Sequence, residues 1–350
     1  MQTLSRSRLI AACALAMTLL SAGCQPEHAT TPGPARDPAT VLPVIFDDDG
    51  SQDGTAALAY LLSHPGVSVR AITISYGEAH PDVFAQHIGR KLDALGIDGI
   101  PLGAGQDAPL AGSNAFPDWL RESSNDFGGL PIPNADKMYP VKDAADLIVS
   151  VVNASPEPVT IFLSGGQTNL AQALQREPGI AENIAAVYIM GGAVYVPGNI
   201  TGLVPDSDNE VAEWNIYADP QAASEVFVSG LPLYLVPLDA TNQVTLDGED
   251  IQPWREGGPT ADFAVEIYEM VLQNWGGSEA AIWDLMTAAI MVDPSLCGFA
   301  SLHLDVITED GPASGQTAVD DKGAPNVEVC LSPDPGRIKQ TLTNVFSASE

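Results

Sequence analysis

From residue 41 onward, short apolar runs alternate with longer stretches of helical period. Residues 41–46, 69–76, 159–163, 186–190 and 233–236 read as strands. Residues 54–64, 82–95, 169–175, 220–228 and 261–275 read as the helices between them, and 337–346 as a closing helix. That alternation predicts an α/β fold: a mainly parallel, Rossmann-like open sheet with helices on both faces. Residues 302–307 and 327–331 are expected to add a few antiparallel edge strands, and no internal repeat is visible.

The first 24 residues lie outside this pattern. Arg6 and Arg8 precede an apolar stretch over residues 9–20, too short for a bilayer that takes roughly 20 apolar residues. Ser21-Ala22-Gly23-Cys24 follows and is similar to a bacterial lipobox, although Ser21 stands where Leu is usual. The expectation is an exported protein, periplasmic or at the cell surface, anchored by a lipid on Cys24. Residues 25–40, rich in Pro, Thr and Ala, are expected to be a flexible tether. Residues 41–350 then form a single domain.

Composition narrows the partners. A net charge of -31 from 45 acidic and 14 basic residues argues against nucleic acid, whose phosphates demand clustered Lys and Arg. Removing the leader leaves Cys297 and Cys330, a pair able to form a disulfide in an oxidising compartment. Nothing in the composition decides for or against a homo-oligomer.

In doubly wound sheets, ligands sit beyond the carboxyl ends of the strands. There the first strand delivers Asp47, Asp48, Asp49 and Asp53, four carboxylates within seven residues. So dense a cluster invites a hard cation such as Ca²⁺ or Mg²⁺. Glu78 and His80 follow the second strand, and Ser164 to Asn169, Gly191 to Asn199 and Asp239 follow later ones. Taken alone, residues 46–51 resemble the nucleophile motif of haloacid-dehalogenase-type phosphatases, with Asp47 as nucleophile and Asp49 as acid/base. That chemistry also needs a strand-end lysine, and Lys137 and Lys142 are poorly placed for it.

A second resemblance covers far more of the chain. The Asp47-Asp48-Asp49 and Asp53 spacing is followed by Pro101-Leu102-Gly103-Ala104-Gly105 and by the run Ser164-Gly165-Gly166-Gln167-Thr168-Asn169. Ile189-Met190-Gly191-Gly192, Gly198-Asn199, Glu213-Trp214-Asn215, Asp219-Pro220 and Trp283-Asp284 come next. In this order they resemble the inosine–uridine-preferring nucleoside hydrolases, enzymes that cleave N-ribosidic bonds with a Ca²⁺-activated water. The resemblance implies Asp49, Asp284 and the Ser164 carbonyl as metal ligands, with Asp49 also beside the attacking water. It implies Asp53, Asn199, Glu213 and Asn215 as ribose ligands. A nucleoside or related ribosyl compound is the implied small-molecule partner.

Three departures qualify the expectation. The family pattern carries a second aspartate after Asp53, where this chain has Gly54, so a weakened metal site is expected and Gly54→Asp should tighten it. Asp48 is not expected to compensate, because a strand neighbour points to the opposite face. Glu78, where relatives usually carry Asn, is a candidate replacement ligand or substrate contact. Finally, Trp283 stands where many members place a histidine acid, which implies a catalytic stacking role and a purine-leaning enzyme. Trp119 or Phe127 are candidates for the other face of the base. The alternative from a different class is a binding lipoprotein that recognises a nucleoside or ribose and no longer turns it over.

Overall fold

The computed structural model describes residues 29–34, 40–134, 136–274 and 277–348. The leader and Cys24 lie outside these residues. Fourteen strands are numbered in chain order: β1 (Thr31–Pro32), β2 (Leu42–Asp48), β3 (Val67–Ile74), β4 (Leu102–Ala104), β5 (Val141–Asp143), β6 (Val159–Ser164) and β7 (Ile184–Met190). They continue with β8 (Leu233–Val236), β9 (Thr245–Asp247), β10 (Glu279–Ala281), β11 (Cys297–Leu302), β12 (Leu304–Val306), β13 (Thr317–Val319) and β14 (Val327–Pro333).

Ten of them form one sheet in the order β1-β11-β14-β8-β7-β6-β2-β3-β4-β5, parallel from β14 to β5. The strand sequence reverses between β2 and β6, and such a switch point opens a crevice at the carboxyl edge. The last register pair across it is Asp48 with Ser164.

Side chains alternate across β2. Val44 and Phe46 enter the core beneath the helices Gln52–Ser63, Pro81–Ala94, Pro259–Asn274, Trp283–Val292 and Pro335–Phe346. Ile45 enters the opposite core, under Ala144–Ala154, Thr168–Arg176 and Pro220–Phe227. The helix expected from residue 54 starts at Gln52, because the Ser51 hydroxyl caps it by accepting from Gly54 N at 2.8 Å.

The far edge differs from expectation in two ways. Residues 327–331 fall in β14, which is interior, parallel to β8 and antiparallel to β11. Residues 302–307 divide at His303, the end of β11 remaining in the main sheet while β12 pairs with β13 in a separate ribbon. The antiparallel edge is made by β11 and β1. Residues 31–32, expected in the tether, pair with Phe299 and Gly298, and Gly33 N donates to Cys297 O at 3.2 Å. Cys297 and Cys330 are disulfide-bonded, which joins β11 to β14. No helix among the described residues is long and apolar enough to cross a membrane.

Candidate functional site

The end of β2 sends three consecutive aspartates in three directions. Asp47 follows Ile45 and accepts from Thr73 Oγ1 at 2.6 Å and Asn169 Nδ2 at 2.7 Å. Asp48 follows Phe46 to the other face and accepts from Ser164 Oγ at 2.8 Å and Gly50 N at 2.9 Å. Asp49 lies past the ladder, where Gly50, at a φ of 93° that suits glycine, turns the chain into the next helix. One Asp49 oxygen accepts from Glu78 N at 3.1 Å, and the other, Oδ1, is buried without a partner.

Asp284 arrives from the opposite end of the sequence, in the first turn of helix Trp283–Val292. Its Oδ2 accepts from Ser51 Oγ at 2.8 Å, and its Oδ1 is likewise buried and unpartnered. Asp53 links the two helices: Oδ2 accepts from Asp284 N at 2.5 Å and Oδ1 from the Tyr268 hydroxyl.

Burial dominates the electrostatics. It raises Asp48 to about 8 and Asp47, Asp53 and Glu78 to about 7, and it holds Asp49 and Asp284 well above the usual carboxylate range. Repulsion adds to it: Asp48 and Glu78 act on Asp49, while Asp53, Asp48 and Asp49 act on Asp284. None of the ion pairs formed by the described residues involves this cluster. Arg121, itself buried, directs its donors to the carbonyls of Gly77 and Ala79 and to Asp107. Buried anionic oxygens without donors are costly unless a cation meets them, and an all-oxygen set suits a hard divalent ion. The residues therefore fit one, with Asp49, Asp284 and the Ser164 carbonyl as the groups that would hold it. A tighter trio exists elsewhere: His303, Asp305 and Asp320 on the β12–β13 ribbon bring ligand atoms within 4.8 Å of one another.

A second group of residues sits beyond β7. Glu213 caps the short helix Trp214–Ala218, accepting from Asn215 N at 3.0 Å and Ile216 N at 3.3 Å, and also from Gly192 N at 2.9 Å. Asn215 Nδ2 donates to Met190 O at 3.1 Å, and Asn199 Oδ1 accepts from Trp214 N at 3.1 Å. Three of the four expected ribose ligands are thus stitched to one turn, the fourth, Asp53, lying with the other acids. That turn is near enough for the Glu213 charge to act on Asp49. Asp239 accepts from Val194 N and Tyr195 N, both at 2.8 Å, and so fixes the intervening loop.

The other expected residues are distributed as follows. Glu78 turns its carboxylate to Ser124 Oγ at 2.8 Å, in the helix Asp118–Ser124. Trp283 is half-buried, packs on the cluster of Met190, Ala193 and Leu238, and leaves its indole N–H without an acceptor. Trp119 is exposed. Phe127 is not available to a base: it is 1% exposed and edge-on to Phe84 and Phe263 at 5.2 and 5.6 Å. Its backbone is in the left-handed region, with a φ of 56°, and the ring packs inward. At Gly54 a Cβ would lie 1.8 Å from Asp48 Oδ1, so a side chain there requires the Asp48 carboxylate to move.

Sequence reasoning missed Tyr268, Ser51, Ser124 and Arg121. Ser51 carries a local signal, a serine three residues before Gly54 at a helix start. Tyr268 carries none, since it meets Asp53 across 215 residues.

An open, doubly wound sheet with buried acids at its switch point defines a class of enzyme-like cleft for small polar ligands. The family follows from comparison. The family model described as inosine-uridine preferring nucleoside hydrolase matches residues 44–340, and the chain belongs to that family. The chain is 34% identical over 286 residues to the pyrimidine-specific ribonucleoside hydrolase RihA of Citrobacter koseri, covering 80% of this chain and 88% of the relative. A purine-preferring ribonucleoside hydrolase from Gardnerella vaginalis superposes with a TM-score of 0.77 at 25% identity, covering 87% of this chain and 98% of that one. The inosine-uridine preferring nucleoside hydrolase from Bacillus anthracis gives 0.74 at 26%, covering 88% and 99%. The protein is accordingly a ribonucleoside hydrolase, of a metal-dependent family and acting on a small-molecule nucleoside.

Proposed function

We propose that the chain is an exported, Ca²⁺-dependent, purine-leaning N-ribosyl hydrolase. The observation that carries the calcium reading is the pair of buried, unpartnered oxygens, Asp49 Oδ1 and Asp284 Oδ1, at the switch-point edge. Opening an N-glycosidic bond requires an activated water, support for a cationic sugar and a departing base. A bound divalent cation would supply the acidity that makes water a nucleophile near neutral pH. Asp49, past the strand end with one oxygen unpartnered, would orient the attacking water and take its proton. Asp53, Asn199, Glu213 and Asn215 present carboxylate and amide groups suited to a sugar diol, and their bonds to helix ends and loops fix them before substrate arrives.

Trp283 adjoins Asp284 and is only partly buried, which supports a stacking face for a bicyclic base. The relatives' names point both ways on base preference. Export with a lipid on Cys24 is supported by the leader pattern and by the Cys297–Cys330 disulfide, a bond of oxidising compartments.

The test is direct: the full chain with inosine, uridine and p-nitrophenyl phosphate, with and without Ca²⁺. Release of free ribose that stops in chelator is expected, faster from inosine. Tight binding without ribose release would establish the binding-protein reading instead, and phosphate release the phosphatase one.

A further inference from the structure

We propose that Asp48 supplies the carboxylate missing at position 54, so that the cation site is rebuilt from the strand instead of diminished. The inference rests on the hydrolase reading above. It begins with one juxtaposition: a Cβ on Gly54 would lie 1.8 Å from Asp48 Oδ1, 2.7 Å from its Cγ and 2.7 Å from Ser51 Oγ. The Asp48 carboxylate therefore fills the space into which a side chain at 54 would grow.

Strand alternation explains how this comes about. Asp48 points to the face of β2 opposite Asp47, and the helix Gln52–Ser63 packs on that same face. A residue in the first turn of that helix approaches the strand end from the side Asp48 already occupies. Alternation thus does not carry Asp48 away from position 54; it carries Asp48 to it.

The surroundings suit a ligand. Asp48 is fully buried, and Ser164 Oγ and Gly50 N each donate to one of its oxygens. A carboxylate oxygen has two lone-pair sites, so both keep capacity for a cation. The Ser164 hydroxyl bond holds Asp48 beside the residue whose carbonyl is an expected ligand. Ser51 Oγ, at the other side of the Gly54 space, donates to Asp284 Oδ2. Independently, Asp49 Oδ1 and Asp284 Oδ1 stand without hydrogen-bond partners at 1% and 4% residue exposure. In its present rotamer the Asp48 carboxylate occupies the space a side chain at 54 would take, so the absence of a side chain at Gly54 is what lets Asp48 sit there.

Calorimetric Ca²⁺ titration and metal-free thermal melting of the full chain test this, using Asp48→Ala, Gly54→Asp and the double variant. Asp48→Ala should weaken Ca²⁺ by roughly tenfold or more. Gly54→Asp alone should lower the melting temperature without tightening Ca²⁺. The double variant should regain near wild-type affinity, a coupling that independent sites would not show. Asp48→Asn keeps the volume while removing the charge, and it should weaken Ca²⁺ even where Asp48→Ala does not fold. Wild-type affinity in Asp48→Asn, with Asp49→Ala abolishing binding, would overturn the proposal and leave the hydrolase intact. So would ribose release by a wild-type chain that binds no Ca²⁺. A wild-type chain that binds Ca²⁺ but releases no ribose would instead remove the hydrolase reading on which the proposal stands.

Discussion

Two groups of buried acids lie at the carboxyl edge of the same sheet, and their surroundings differ. Around Glu213, three backbone N–H groups converge on the two oxygens, and Asp239 is held by two more. Around Asp49 and Asp284, one oxygen of each has no donor, and neighbouring carboxylates press on both. The first arrangement completes the protein's own hydrogen bonds and fixes loops. The second leaves bonding capacity unfilled, as a site for a bound ion requires. Burial of an acid alone therefore does not identify a metal site, and neither does one unfilled oxygen, since Asp47 Oδ2 is also without a partner; the convergence of Asp49 and Asp284 does.

Removing acids from either group should slow turnover, but the two groups should act in opposite ways on metal binding and stability. Asp49→Ala or Asp284→Ala is expected to cut ribose release by roughly 10²–10⁴-fold and to abolish Ca²⁺ binding, while the metal-free protein melts no lower than wild type. Turnover assays beside melting in chelator check this, and a large fall in melting temperature would place these acids with Glu213. Glu213→Ala should cost stability, on the order of 2 kcal/mol or more, because a helix cap is lost and N–H groups are orphaned. Urea unfolding measures it, and a neutral result would remove the contrast.

Trp283→Ala should lower the inosine-to-uridine ratio of kcat/KM by roughly tenfold, the lower part of the 1–3 kcal/mol of a stacked base. An unchanged ratio with reduced stability would assign the ring to packing alone. The smallest effect concerns pH. Burial raises Glu213 from 4.5 to about 7, so the folded state binds its proton more tightly than the unfolded state. That contribution is fully present below pH 4.5 and is lost as pH rises through about 7. Wild type should therefore lose stability relative to Glu213→Gln across that window, and unfolding midpoints at pH 5 and 7.5 should show it.

Much of this was legible in residue order. The runs now in β2, β3, β6, β7 and β8 are each apolar and bounded, and the first delivers the aspartates where expected. The short strands β4 and β5 have three residues each and little period to detect. At position 48 alternation gives the face the side chain takes, opposite Asp47, but not that the helix Gln52–Ser63 covers that face. Tyr268 on Asp53, the inward Phe127 and the interior place of β14 depend on contacts across the whole chain, which no local window contains. Residues 31–32 carry no strand signal in the sequence, because two residues are too few to show a period.

That two-residue strand also governs how tension on the N-terminus would reach the domain. Pulling there loads the β1–β11 pairing first, where, among the described residues, Thr31 and Pro32 are in register and Gly33 adds one further bond. Next inward, β11 and β14 are joined by a covalent cross-link as well as by their ladder. Strands β8, β7 and β6 still separate that stapled edge from the acidic turn at Asp48 and Asp49. The strap is thus the first bond on a load path whose next element in the chain is β2, so its pairing with β11 diverts onto the cross-linked edge a tension that would otherwise fall on the strand carrying the acidic turn.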